Sequence, residues 1–329
     1  MRFATKLLAG TFAAISYLVV PAIAPTGDKV WAQTWPDKPV RVIVPFPPGG
    51  ATDVVARPWM EKLTQAFGQP FVIENRGGAG GMIGVEAAVK STPDGYTFLL
   101  CSNSPLVVLP HLRKTPYDAM KHLLPVARVG DMVGGWAVHP SIGVKTFPDL
   151  IAYAKKNPAK LIYGSAGLGT TTQLRMEVIN LKAGIDILHV PYRGSGDALN
   201  DLLPGTVHMM NEINVIPHVR SGKLILLNIN GPQRHPEFPD VPSTTELGIP
   251  DAEVPIWFSI WAPAGTPKDI REKMNAKMEE IADTADMKAK MLAVNVIVPK
   301  QKPEAMRQYL LEDIRRNKEV IAKNNIKVE

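Results

Sequence analysis

The sequence predicts an α/β protein of two lobes, each a central sheet flanked by helices, and three observations carry that prediction. Apolar, β-branched runs recur with helical segments between them, and their apolarity is continuous rather than alternating, as in strands covered on both faces of a parallel sheet. Six of these runs exit into polar, Gly- or Ser-rich loops. Ligands of open α/β sheets sit at the carboxyl ends of strands, so the six exits define one binding rim. Two further stretches, 135–140 and 255–263, are placed to cross between lobes, and two crossings make a hinge.

Strands are expected over 40–46, 71–74, 96–101, 161–164, 187–192, 207–210 and 224–229. Helices are expected over 52–67, 171–182, 268–282 and 303–323. In the first helix Val55, Trp59, Leu63 and Phe67 follow one another at i+4 spacing and form one buried face, which Gly68 ends. The second ends near Gly184, and the last is amphipathic and basic toward its end, which suits the helix dipole. Residues 33–135 and 259–329 are assigned to one discontinuous lobe and 136–258 to the other. At 329 residues and 45% hydrophobic, the chain can bury one large or two medium cores.

The N-terminus reads as a signal peptide over 1–32. Arg2 and Lys6 precede an apolar run from Leu7 to Ala24, and Val30-Trp31-Ala32 offers small residues for cleavage before Gln33. A retained membrane anchor is the alternative, and Gly10, Thr11, Ser16 and Pro21 make the run a poor spanning helix. Cleavage removes Arg2, Lys6, Lys29 and Asp28, so the formal charge of +6 falls to +4. Lys and Arg are scattered without aromatic interleaving, which argues against nucleic acid as a partner. Cys101 is the only cysteine, so neither an intrachain disulfide nor a lipidated leader is available, and an exported protein of this kind fits the periplasm. No twin-arginine pair precedes the run, so export is expected in the unfolded state.

The strand exits carry the chemistry. In PFPPGGATD, Gly49, Gly50 and Ala51 remove side-chain bulk, and Thr52 or Asp53 opens a helix whose first amides lack internal partners, which makes an anion site. The prolines fix that loop in advance and reduce the entropy lost on binding. The loop Ser165, Ala166, Gly167, Leu168, Gly169, Thr170 repeats the arrangement in the second lobe. Two such ends facing each other suit a ligand with two carboxylates, or one carboxylate and another polar end. Charge-assisted hydrogen bonds contribute about 1.5–3 kcal/mol each, so three or four with some apolar contact reach micromolar binding. The other exits add Gly78 and Ala79, Ser102 and Asn103, Arg193 and Gly194, and Glu212. Arg193 offers a guanidinium fork or a salt bridge to Asp197, and Phe46 and Tyr192 are read as pocket walls or core.

No catalytic motif emerges. Ser165 lacks the preceding glycine of a GxSxG elbow, and GGAGGMIG lacks the lysine of a phosphate loop and a convincing dinucleotide fingerprint. The seven histidines form no metal-ligand cluster, and Cys101 reads as a buried thiol. Neither a cofactor nor a metal is expected.

The order WPDKPVRVIVPFPPGGATDVVAR, VIENRGGAGGMIGVEAAVKSTPDGYTFLL, TPYDAMKHLLPVARV, HPSIGVKTFPDLIAYAKKNPAKLIYGSAGLGTTTQL, VPYRGSGDALNDLLPGTV, SGKLILLNINGPQRHPEFPDVPSTTELGIP and WAPAGTPKDI resembles the Bug, or TctC-like, solute receptors of tripartite tricarboxylate transporters, over essentially the whole mature chain. The resemblance implies a periplasmic type II binding-protein fold without catalytic activity. A monomer of this kind closes on a small carboxylate and presents it to a membrane permease of one large and one small subunit. It also implies that the ligand is held by amides, hydroxyls and bridging waters of the loops containing Gly50 to Asp53 and Ser165 to Thr170. Two departures bear on the ligand: Gln173 stands where the family usually has His, and the stretch His208 to Glu212 replaces a pattern ending in Asp. A longer acid at Glu212 shrinks the pocket or repels a second carboxylate. The rim stretch CSNSP, Cys101 to Pro105, is unusual as well. A sensor component that signals instead of feeding a permease, and a hydrolase acting through Ser165, are the alternative functions.

Overall fold

A computed structural model describes residues 35–300 and 302–327; the expected signal peptide and its cleavage point lie outside the described residues. The first stretch of chain forms β1 (Val40–Val44), α1 (Ala51–Phe67), β2 (Phe71–Asn75), α2 (Met82–Val89), β3 (Thr97–Ser102), the short helices α3 (Ser104–Val107), α4 (Leu109–Leu112) and α5 (Ala119–His122), and β4 (Leu123–Met132). The middle forms β5 (Ala137–Val138), α6 (Phe147–Lys156), β6 (Ile162–Ser165), α7 (Thr171–Ala183), β7 (Leu188–Pro191), α8 (Ser195–Leu202), β8 (Met209–Met210), α9 (Ile216–Arg220) and β9 (Ile225–Leu226). The last forms β10 (Trp257–Pro263), α10 (Lys268–Asp283), α11 (Ala285–Ala293), β11 (Val296–Ile297) and α12 (Pro303–Lys323).

These strands make two sheets, in the orders β11-β4-β10-β3-β1-β2 and β7-β6-β8-β5-β9. The sheets are mixed rather than parallel, which corrects the expectation. β1 runs parallel to β2 and β3, whereas β10 is antiparallel to both β3 and β4, and β5 is antiparallel to β8 and β9. The reason is topological: β5 and β10 enter their sheets directly from the opposite lobe, at the end where the other strands exit, and so run against them. β4 is absent from the sequence expectation because Pro125, Arg128, Gly130 and Asp131 break its apolar run. Pro125 pairs with Trp261 on one side, while β11 meets β4 only at Met132 and Asp131, so the proline lies on an edge where no amide is needed.

Local chemistry explains the principal helices. In α1 the expected stripe is buried at Val55, Trp59 and Leu63, and Gly68 takes the left-handed conformation that lets its amide close on Thr64 O. α6 starts on a reciprocal capping box between Thr146 and Asp149. α7 starts on Thr170, whose hydroxyl accepts from Gln173 N–H, and ends at left-handed Gly184. One apolar cluster packs Trp59, Phe98, Ile260, Met274 and Met287 together, and another packs Ala137, Ala198, Leu202, Met210 and Ile216. A third runs from one sheet to the other, through Leu99, Trp257 and Trp261 to Trp136, Tyr163 and Leu174.

The two crossings lie side by side, joined by Met132 N–H donating to Ile256 O at 2.9 Å. Asp313 of α12 anchors the second crossing, its buried carboxylate accepting from Trp257 Nε1 at 2.7 Å and Asn103 Nδ2 at 2.9 Å. The first crossing is held by Asn230 N–H to Gly134 O at 2.7 Å and Trp136 N–H to Asn228 Oδ1 at 2.9 Å. A Cβ on Gly135 would lie 1.5 Å from Asn228 O, a backbone atom that cannot yield without parting these bonds. Gly135→Ala is therefore expected to lower unfolding stability by at least about 3 kcal/mol, measured as a shift of the urea midpoint at unchanged slope.

Candidate functional site

The N-termini of α1 and α7, helices of different sheets, meet on one cavity. It is lined from the first sheet's side by Phe46, Ala51, Thr52, Ser102 and Ser104, from the other by Ala166, Thr170, Thr172, Ser195 and Glu212, and from the second crossing by Ile256 and Phe258. Its volume of about 20 Å³ holds about one water molecule, so the lobes are closed on each other.

Closure exchanges hydroxyls between lobes. Ala51 N–H, the first amide of α1, donates to Ser195 Oγ at 2.8 Å, and Thr171 N–H, the first amide of α7, donates to Ser104 Oγ at 3.1 Å. Ser104 Oγ and Thr171 Oγ1 share a further bond at 2.9 Å. The next amides, Thr52 and Asp53 on α1 and Thr172 on α7, donate to no described residue, first-turn donors having no acceptor within their own helix. The lobes meet at glycines. A Cβ on Gly80 would lie 2.4 Å from Leu168 O, and one on Gly169 2.3 Å from Leu109 Cδ1.

The sequence-predicted residues divide. Phe46, Ala51, Thr52, Ser102, Ala166, Thr170 and Glu212 line the cavity. Gly50 is the N-cap of α1 immediately behind it. The Asp53 carboxylate is turned away and shapes the loop instead: it accepts from Gly49 N–H at 2.9 Å, Asn75 Nδ2 at 3.0 Å and Arg57 Nε at 2.7 Å. Asn103 reaches Pro255 O and Asp313, supporting the hinge rather than the cavity. Tyr192 packs on its own lobe's core and donates to Asp201 Oδ2 at 2.6 Å. Arg193 is exposed and makes no ion pair with Asp197; Gly78 is half-buried and Ala79 exposed, while Gly194 and Gly169 serve the contact between lobes. Ser165 is fully buried, bonded to Gly167 and sharing a 2.6 Å bond with His189 Nε2, so its hydroxyl is closed to an incoming ester. Burial pushes the His189 imidazole down to about 4.

Sequence reasoning missed Ser104, Thr172, Ser195, Ile256 and Phe258. The first three sit at or beside helix starts within the stretches CSNSP, GTTT and RGSGD, where a hydroxyl next to an unpartnered amide was the available signal. Gln173, the departure from His, donates nothing to the cavity; its Oε1 accepts Gly169 N–H at 2.8 Å and fixes the loop. Among the described residues no three His, Cys, Asp or Glu side chains converge as a metal site.

Glu212 is the single ionisable side chain of the lining. Its Oε1 accepts from Thr172 Oγ1 at 2.7 Å, and burial pushes its carboxyl from 4.5 up to about 7, against the opposing pull of that bond and of Arg175. Arg175 is itself buried, bound to Val254 O at 2.8 Å and Asn211 Oδ1 at 2.9 Å, and burial lowers it to about 10. A carboxyl that holds its proton more tightly when folded destabilises the fold as pH rises through 4.5, with the full cost reached above about 7. Glu212→Gln is thus expected to raise the unfolding temperature at pH 8 and not at pH 4, by up to about 3 kcal/mol of stability, read by thermal scans at both pH values.

Comparison with known proteins supplies the family. The model of the tripartite tricarboxylate transporter family receptor, TctC, matches residues 55–326. The chain is 36% identical to protein BugT of Bordetella pertussis over 331 residues, covering 99% of each. An R. palustris protein solved with adipate superposes with a TM-score of 0.85 at 31% identity, over 89% of this chain and 99% of that one. MatC of Rhodopseudomonas palustris, solved with bound malate, gives 0.83 at 30% identity over 87% and 100%. The chain belongs to the tripartite tricarboxylate transporter receptor family, whose members, the Bug proteins among them, are solute receptors of two-lobed type II periplasmic binding fold and not enzymes.

Proposed function

We propose that this chain captures a small carboxylate between its lobes in the periplasm and delivers it to a tripartite permease of one large and one small membrane subunit. The observation that carries the reading is the meeting of two helix N-termini, one per sheet, on a single cavity whose lining includes Thr52 and Thr172, the amides of which donate to no described residue. Partial positive charge and aligned N–H donors make such ends anion sites. Adipate and malate in the two related structures support a carboxylate as the anion.

In this reading, residues 1–32 are a cleaved export signal and the mature protein acts as a monomer. One lobe takes residues 33–135 and 259–329, the other 136–258, with β10 beginning at Trp257 just ahead of that boundary. The cavity has room for about one water, less than a four-carbon acid needs, so loading requires the lobes to part about the paired crossings. A side chain on Gly80 blocks the return: Gly80→Val meets Leu168 O, and its branched side chain strains a backbone held at φ +65°, so it is expected to weaken acid binding at least tenfold and to lower the unfolding temperature as well, the affinity being read where circular dichroism shows the variant folded. Calorimetry of the protein purified after export, against dicarboxylates, tricarboxylates, amino acids and aromatic acids, tests both statements. Failure of every acid to bind sinks the reading, and an unchanged affinity in Gly80→Val removes closure from it.

A further inference from the structure

Resting on the carboxylate-receptor reading, the side chains around Glu212 define what else the ligand carries. Glu212 is 5% exposed and lines the cavity. Among the described residues its carboxyl accepts one hydrogen bond, from Thr172 Oγ1, and Thr172 also owns one of the open amides. The charged groups packed around it are otherwise committed. Arg175 on α7 spends its guanidinium hydrogen bonds on Val254 O and Asn211 Oδ1 and reaches Glu212 by charge alone, as Glu253 reaches Arg175. No Lys, Arg or His lines the cavity. A ligand carboxylate seated on the Thr172 amide therefore lies next to an acid that nothing in the lining neutralises.

We propose that Glu212 sets the ligand class: it accepts a hydrogen bond from a hydroxyl or ammonium carried by the bound acid beyond its first carboxylate, and it admits a second carboxylate only when one proton is held between the two. The proton comes from solvent and sits at a Glu212 oxygen, so a diacid binds with uptake of one proton where free Glu212 is ionised and with none where Glu212 already holds it, whereas a donor-bearing acid binds to ionised Glu212. Burial places the Glu212 carboxyl near neutrality, at about 7, which puts the exchange within an accessible pH range.

The test is calorimetry at pH 6 and pH 8.5, in two buffers of different ionisation enthalpy, with four acids differing only at the far end: butyrate, 4-hydroxybutyrate, 4-aminobutyrate and succinate, plus their six-carbon counterparts. Expected are binding of the hydroxy or amino acid at least tenfold tighter than the plain monoacid at pH 8.5, and a fall of about thirtyfold in diacid affinity from pH 6 to 8.5, with uptake of about one proton at pH 8.5 and little at pH 6, where Glu212 already holds it. Glu212→Gln is expected to flatten the diacid's pH dependence, and Glu212→Asp to keep it; these slopes are read on variants shown to be folded by circular dichroism. A diacid affinity in the wild-type protein that is constant within twofold across this range, or a plain monoacid that binds as tightly as its donor-bearing analogues, overturns the assignment without touching the receptor reading. If these acids and the broader panel all fail to bind at either pH, the receptor reading falls and this inference with it.

Discussion

The closed cleft is governed by the orphan amides of two helices that end in the same small space. Each helix solves part of the problem with a hydroxyl from the other lobe, Ser195 for α1 and Ser104 for α7. A neutral hydrogen bond of this kind contributes about 1 kcal/mol net, whereas one to a charged acceptor contributes about 1.5–3 kcal/mol. The exchange thus makes closure possible without making it strong. In the proposed function an arriving carboxylate displaces a hydroxyl from the same region of positive potential, and the difference between the two states is available to hold the lobes on a ligand.

Such an arrangement demands that backbone approach backbone. Pro47 shows how the loop was shaped for it: an added Cβ at Gly194 would fall 2.6 Å from the Pro47 ring, and one at Gly77 2.8 Å from it. The ring is a rigid peg between two bare stretches of chain, one from each lobe, and its fixed φ removes a degree of freedom that closure would otherwise have to freeze. The Asp53 carboxylate completes the shape from behind by tying Gly49, Asn75 and Arg57 together. The residues that stiffen the rim are thus not those of the crossings.

Much of this was legible before any coordinates. Continuous apolar runs located β1, β2, β3, β6 and β7, and glycines at the ends of α1 and α7 located those helices, because both signals are local. β4 escaped because its proline and charges are tolerated only by a position in the sheet that the sequence does not display. The same divide holds in the site. The strand-exit loops were recognisable as a rim, yet whether Asp53 points into the cleft or back onto Arg57 depends on Asn75, 22 residues away. Asn103 turns to Asp313 across 210 residues. Ser104 and Ser195 were visible as residues within quoted loops, but each caps a helix belonging to the other lobe, a pairing without sequence proximity.

The absence of Lys and Arg from the lining follows from the hinge. A guanidinium placed in the cleft would be hydrated when the lobes part and stripped of water each time they close, and that desolvation costs several kcal/mol per ion unless a partner is already present. Closing without ligand would then be forbidden, and release would have to separate a buried ion pair. Helix-end amides carry their partial charge as part of the fold, and in the closed cleft two of them are satisfied by the serines while the rest face a space of about one water. Arg76 and Arg193, the guanidiniums the rim loops offer, are accordingly left exposed. Recognition by dipoles keeps both the empty closed state and the release of ligand within a few kcal/mol, which a receptor that must hand on its cargo requires.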